Sequence, residues 1–174
     1  MSACPELVTG LSLDEAHAVL EPFFLAARAL FLERGLELCR RTRFFVADDM
    51  HDTPRHFAGC SADGREIVVA PELAELPYEF VVGILAHEFG HAADFLYPGE
   101  FALGRGGVVR RRRQDVDETQ WLRWQRTWDA RDPDVIEVTA DSIAELVWGQ
   151  PIRYTGPCQL QNFRIGEARP HGLR

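Results

Sequence analysis

Two histidines and a glutamate lie inside the apolar run "LAHEFGHAADF", residues 85–95, where ionisable groups need partners. With about 100° per helical residue and His87 at zero, His91 falls at about 40°, Asp94 at about −20° and Glu88 at about 100°. The two imidazoles therefore share a face, while Leu85, Phe89, Ala92 and Leu96 gather roughly opposite and mark the core side. His87-Glu88-Phe89-Gly90-His91 is the H-E-x-x-H spacing, in which one helical turn lets two imidazoles reach one Zn²⁺ at about 2.0–2.1 Å. Glu88 is angled away from such an ion but toward a water bound to it, the position of a general base.

Two histidines leave a catalytic zinc short of a ligand. A longer H-E-x-x-H-x-x-G-x-x-H pattern fails, because Asp94 and Tyr97 stand where it needs glycine or histidine neighbours, and the metzincin class is excluded. The segment "DPDVIEVTADSIAELVWG" offers acids instead: Glu137 and Asp141 lie about 40° apart on a helix otherwise filled by Val135, Ile143, Leu146 and Val147. Two carboxylates on so apolar a helix suit a metal and a metal-bound imidazole, the plainer alternative being an exposed acidic face. Gly83 and Gly90, seven residues apart on the histidine helix, cost it roughly 0.5–1 kcal/mol each relative to Ala and imply a closely packed backbone.

The elements that must position these groups can be read in order. Ser12 and Glu15 form a capping box for a helical segment within residues 1–40, as two helices or one kinked at Pro22. Residues 42–49, 55–61 and 65–72 read as strands, with "ADG" turning the last two into a hairpin. Pro77 suits the first position of the histidine helix, which Pro98 ends. Residues 99–114, with glycines and the arginine run 110–113, read as a mobile loop or solvated rim. Trp121, Trp124 and Trp128 then form a core-facing stripe on a further helix. Asp132 and Pro133 open the helix 134–148, and residues 149–174 make an irregular tail.

Composition sets the class. The 174 residues, 46% hydrophobic and 10% aromatic, fit one α+β domain with a real core. A formal charge of −8 disfavours a nucleic-acid partner. Cys4, Cys39, Cys60 and Cys158 form no C-x-x-C pair or disulfide framework. With no signal peptide and no apolar run of membrane length, the expectation is a cytoplasmic protein away from membranes.

The run "EVTADSIAELV", following a hairpin, "DGREIVVAPE" and the histidine helix, resembles the gluzincin branch of the zincin metallopeptidases. It also resembles the corresponding stretch of the small bacterial ImmA/IrrE-type peptidases. The likeness spans residues 55–148 and departs at "VWGQP", and no helix-turn-helix domain accompanies it. It implies a minimal zincin fold with a small, mostly antiparallel sheet. Glu137 would be the third zinc ligand, beside His87 and His91, and Asp141 the acceptor for a histidine N–H. Asp141 and Asp94 lie on metal-facing stripes too, but Glu has the longer reach, and helical rise carries Asp94 roughly 10 Å from His87.

The implied activity is that of a zinc metalloendopeptidase acting on a protein or peptide, with Glu88 as base. The strand "REIVVA" would offer its edge to an extended substrate. Tyr154 and His171 are candidates to stabilise an oxyanion, against the plainer reading of an ordinary tail, and Cys158 is a weaker candidate for a cap over the metal. Two other readings stay open. One is a non-catalytic zincin-like module within a phage particle or larger assembly; the other is a metal-dependent hydrolase of a non-peptide bond.

Overall fold

Ser12 opens helix α1 (Leu13–Glu33) with the reciprocal cap implied by its sequence: Ser12 Oγ accepts from Glu15 N at 3.2 Å, and Glu15 Oε2 accepts from Ser12 N at 2.8 Å. The computed structural model describes residues 9–48 and 57–152. α1 runs as one helix through Pro22. The proline removes one backbone donor, but Ala16, Leu20, Phe24, Ala27 and Phe31 keep a single buried face in register across it.

A 3-10 turn (Glu37–Arg41) leads into strand β1 (Arg43–Val46), followed by β2 (Ala58–Cys60) and β3 (Glu66–Val69). The sheet order is β1-β3-β2, with β3 parallel to β1 and antiparallel to β2. This sheet is mixed, which corrects the expectation of a mostly antiparallel one. The hairpin makes β2 and β3 antiparallel, and β1 adds to the far side of β3 running the same way. The β2–β3 turn is tied by Asp63 Oδ1, which accepts from Arg65 N at 3.0 Å, and by Gly64 at φ 72°. A side chain at Gly64 would also strike the Ala92 carbonyl, so the turn is pressed against the helix that follows.

That helix, α2 (Tyr78–Leu96), begins after Pro77, which is its N-cap and not its first helical residue, and stops at Tyr97 just before Pro98. Every residue from Gly83 to Asp94 is buried. Phe89 stacks between Phe24 and Phe31 of α1 with ring centroids 5.0 and 5.3 Å apart, which fixes the apolar side of α2.

The segment expected to be a loop holds a hairpin, β4 (Phe101–Gly104) and β5 (Gly107–Arg110), paired antiparallel. Its glycines serve the turn, Gly107 at φ 108°, rather than mobility. α3 (Glu118–Asp129) has no buried residue, so the tryptophan stripe is not core. Trp121, Trp124 and Trp128 are half-buried beneath Arg113, Arg111 and Arg131, whose guanidinium carbons stand 5.5, 4.0 and 4.8 Å from the ring centroids.

The arginine run is likewise no simple rim. Arg110 pairs with Glu100 at 3.2 Å and Arg113 with Glu118, fastening the hairpin and the start of α3. α4 (Pro133–Trp148) follows, N-capped by Asp132 through Val135 N at 2.9 Å and closed by Gly149 in the left-handed region. The class is α+β, and among the described residues no helix is long and apolar enough to cross a membrane.

Candidate metal centre

α2 and α4 pack against each other along the polar side of α2, and Gly90 makes the approach possible. A Cβ built on Gly90 would lie 2.1 Å from the Ala140 carbonyl oxygen, so any side chain there collides with the α4 backbone. The close packing inferred from the glycine pair thus has its physical cause at Gly90.

The two helices run so that successive turns of α2 meet earlier positions of α4 and its approach. His87 Nδ1 faces Asp141 Oδ1 at 3.3 Å, with both side chains at most 1% exposed. One turn on, Glu137 spans the two imidazoles, Oε2 lying 3.3 Å from His87 Nε2 and Oε1 3.3 Å from His91 Nε2. The rings themselves are 4.4 Å apart, edge to face at 80°. Glu88 Oε1 stands 3.9 Å from His87 Nε2.

These distances test whether the residues fit a metal. Ligand atoms at about 2.0–2.1 Å from one tetrahedral zinc are about 3.3–3.4 Å from one another, and each Nε2 lies 3.3 Å from a different oxygen of Glu137. A proton held on Nδ1 by Asp141 would leave His87 presenting a lone pair at Nε2 toward a carboxylate oxygen. Two acceptors facing each other are stabilised by a cation between them. Potential ligand atoms of His87, Glu88 and His91 lie within 4.8 Å of one another. Glu137 approaches both imidazoles at 3.3 Å, while Glu88 stands 3.9 Å from His87 Nε2. Burial would by itself raise the Glu137 pKa, but with protonated imidazoles in the place of a cation, hydrogen bonds and positive charge from His87 and His91 outweigh it and hold the carboxyl well below the ordinary range.

Asp94 belongs to a different arrangement. Fully buried, it receives Arg131 through two bonds, Nη2 to Oδ2 at 2.6 Å and Nη1 to Oδ1 at 3.1 Å, and the Trp128 indole N–H at 2.9 Å. It is no ligand. Sequence periodicity puts Asp94 on the histidine face but carries no sign of its partners, which come from α3 and the turn after it. Phe95 joins the two regions, stacked on His91 at 5.6 Å and meeting Trp128 edge to face at 6.4 Å.

The two described cysteines, Cys39 and Cys60, are not part of the His87, Glu88 and His91 cluster. Burial pushes the Cys39 thiol up to about 12. Burial raises Cys60 as well, helped by the negative charge of Glu88. Tyr154, Cys158 and His171 lie outside the described residues. Compared with known proteins, the chain matches no family model, no curated protein and no solved structure.

Proposed function

We propose that this chain is a zinc-dependent hydrolase of peptide bonds, gluzincin-like in its ligand set. The observation that carries the reading is the Glu137 carboxylate held 3.3 Å from Nε2 of both His87 and His91. His87, His91 and Glu137 would hold the ion, and Asp141 would fix the proton of His87 on Nδ1 and thereby aim Nε2. A bound zinc would supply a polarised carbonyl and a water of lowered pKa. Glu88 takes the proton of the attacking water and returns it to the leaving amine.

An extended substrate would add to a free sheet edge. The strand "REIVVA" is not that edge, since β3 lies between β1 and β2 with both sides paired. Among the described residues β2 is the outer strand packed on α2, and it is where main-chain pairing would bring a peptide toward Glu88.

One observation favours a non-catalytic module: His87 is 1% and His91 7% exposed, as in a site that only fastens helices. Against it stands Glu88, a carboxylate 2% exposed that a structural site does not require. Elemental analysis of the purified protein, followed by peptide-library digestion with and without chelator beside Glu88→Gln, tests the proposal. About one zinc per chain and chelator-sensitive cleavage lost in Glu88→Gln support it. Protein that binds no zinc at micromolar concentration refutes it, and zinc without cleavage selects the module.

A further inference from the structure

We infer that Asp94, Arg131 and Trp128 form a clip that sets the position of Glu137, making them positioning residues of the metal centre. The inference rests on the metal reading above. Three turns of α2 meet α4 and the turn before it in succession: His87 with Asp141, His91 with Glu137, and Asp94 with Arg131. The first two contacts involve the candidate metal groups themselves, whereas the third uses none of them.

Its place in the chain matters. Arg131 immediately precedes Asp132, the N-cap of α4, and Glu137 sits in the second turn of that helix. Glu137 is the least enclosed of the site residues, its side chain 28% exposed, so its placement depends on the course of its helix as well as on its contacts with the imidazoles. What fixes its height above the imidazoles is therefore the path of α4. That path is pinned on one side by the Gly90–Ala140 backbone contact and on the other by the clip.

Bidentate Arg–carboxylate geometry is directional, and here both members are nearly buried, Arg131 at 10% and Asp94 at 0% side-chain exposure. Arg131 is itself oriented by its Nε bond to the Trp128 carbonyl at 3.0 Å and by stacking on the Trp128 ring. Trp128 also bonds Asp94, which closes the arrangement on itself. Loss of the guanidinium fork would leave the start of α4 tethered through a turn alone. Glu137 would then wander relative to two histidines that stay fixed on α2.

The test measures zinc affinity by competition with a chromophoric chelator, the visible spectrum of the Co²⁺-loaded protein, and urea unfolding of the metal-free protein. Wild type, Arg131→Gln, Arg131→Lys and a control, Leu20→Ala, are compared, the control removing a buried apolar α1 side chain. The expected result is a loss of zinc affinity of roughly tenfold in Arg131→Gln, toward the lower end for groups that act through a ligand. A changed Co²⁺ band should accompany it, with partial recovery in Arg131→Lys. Leu20→Ala should lose stability and keep its zinc affinity.

Arg131→Gln with zinc affinity within twofold of wild type and an unchanged Co²⁺ band overturns the clip while leaving the metal reading intact. Wild type that binds no zinc overturns both. If Arg131→Gln does not fold, Trp128→Phe, which removes the indole N–H and shrinks the ring while leaving Arg131 and Asp94 able to pair, decides the matter. A severalfold weaker affinity supports the clip, and an unchanged one refutes it.

Discussion

Leu85 and His87 are two residues apart on α2, and neither is more than 1% exposed, yet they are held by different forces. The side of α2 bearing Leu85, Phe89 and Ala92 is packed against α1 and the sheet, where Phe24 and Phe31 enclose Phe89. Shape is what matters there, and dispersion summed over many contacts supplies the attraction. The side bearing His87, His91 and Asp94 meets two carboxylates and a guanidinium, Glu137 reaching both imidazoles. On that side each group has a set partner, and losing one leaves the other buried with its charge or lone pair exposed to nothing. Equal burial therefore carries unequal tolerance to substitution.

The largest effect expected from this contrast is on chemistry without loss of structure. Glu88→Gln is close to isosteric, so zinc content and the unfolding midpoint should stay near wild type. Peptide hydrolysis should fall by roughly 10²–10⁴-fold, the usual contribution of a general base. Activity within tenfold of wild type would move the chemistry away from Glu88.

Next in size are the groups that would hold the ion. Zinc dissociation constants measured by chelator competition should rank Glu137→Ala as the worst, above roughly 100-fold. Asp141→Ala should follow at roughly 10–100-fold, and Asp94→Ala should be the mildest. Affinity should also fall as pH is lowered through the range in which imidazoles take up a proton, because protons and metal compete for the same Nε2 lone pairs. A ranking led by Asp141 or Asp94 would overturn the gluzincin-like ligand set even with both histidines in place.

Much of this site could be read from local pattern. The angular spacing of His87 and His91, and of Glu137 and Asp141, depends only on helix geometry, and the helices themselves are announced by Ser12, Pro77, Asp132 and Pro133 within a residue or so. The structure brings the two faces together.

What escaped the sequence is pairing between distant segments. The glycines of residues 99–107 signal a turn as readily as a mobile loop, and only the pairing of Phe101–Gly104 with Gly107–Arg110 decides between them. The arginine run and the tryptophan stripe each looked ordinary alone. Arg111 lying 4.0 Å over Trp124 makes them one construction, and no periodicity within either segment reports that. The partners of Asp94 were hidden for the same reason, since Arg131 lies 37 residues further along the chain.

A smaller effect should come from Gly90→Ala, which probes the seam between the two sides of α2. The added methyl would occupy the place of the Ala140 carbonyl, 2.1 Å away, so the helices must separate. Overpacking of this kind costs roughly 1–3 kcal/mol, and here the separation should also weaken zinc binding, because Glu137 is carried away with α4. Urea unfolding of the metal-free protein and a zinc titration of the same sample would check both. Lower stability with unchanged zinc affinity would mean that α4 tilts about Glu137 instead of moving off.

The smallest effect should be that of Leu85→Met, and its smallness is the point. Leu85 is fully buried and about 160° around α2 from His87, so it faces the apolar enclosure and none of the polar partners. Met has nearly the same volume, bends readily to fill an irregular gap and brings no hydrogen-bonding demand, so the substitution should cost less than about 1.5 kcal/mol. Zinc affinity should not change. Asp141→Asn is an equally small change in volume on the other side. It exchanges an acceptor for an amide that can present a donor to His87 Nδ1, and it should weaken zinc binding by roughly 10–100-fold. The two variants, measured side by side for unfolding midpoint and zinc dissociation constant, isolate the chemistry of each side from its packing. Similar losses in zinc affinity for both would show that the whole helix responds as one packed body, and the distinction between its sides would fall.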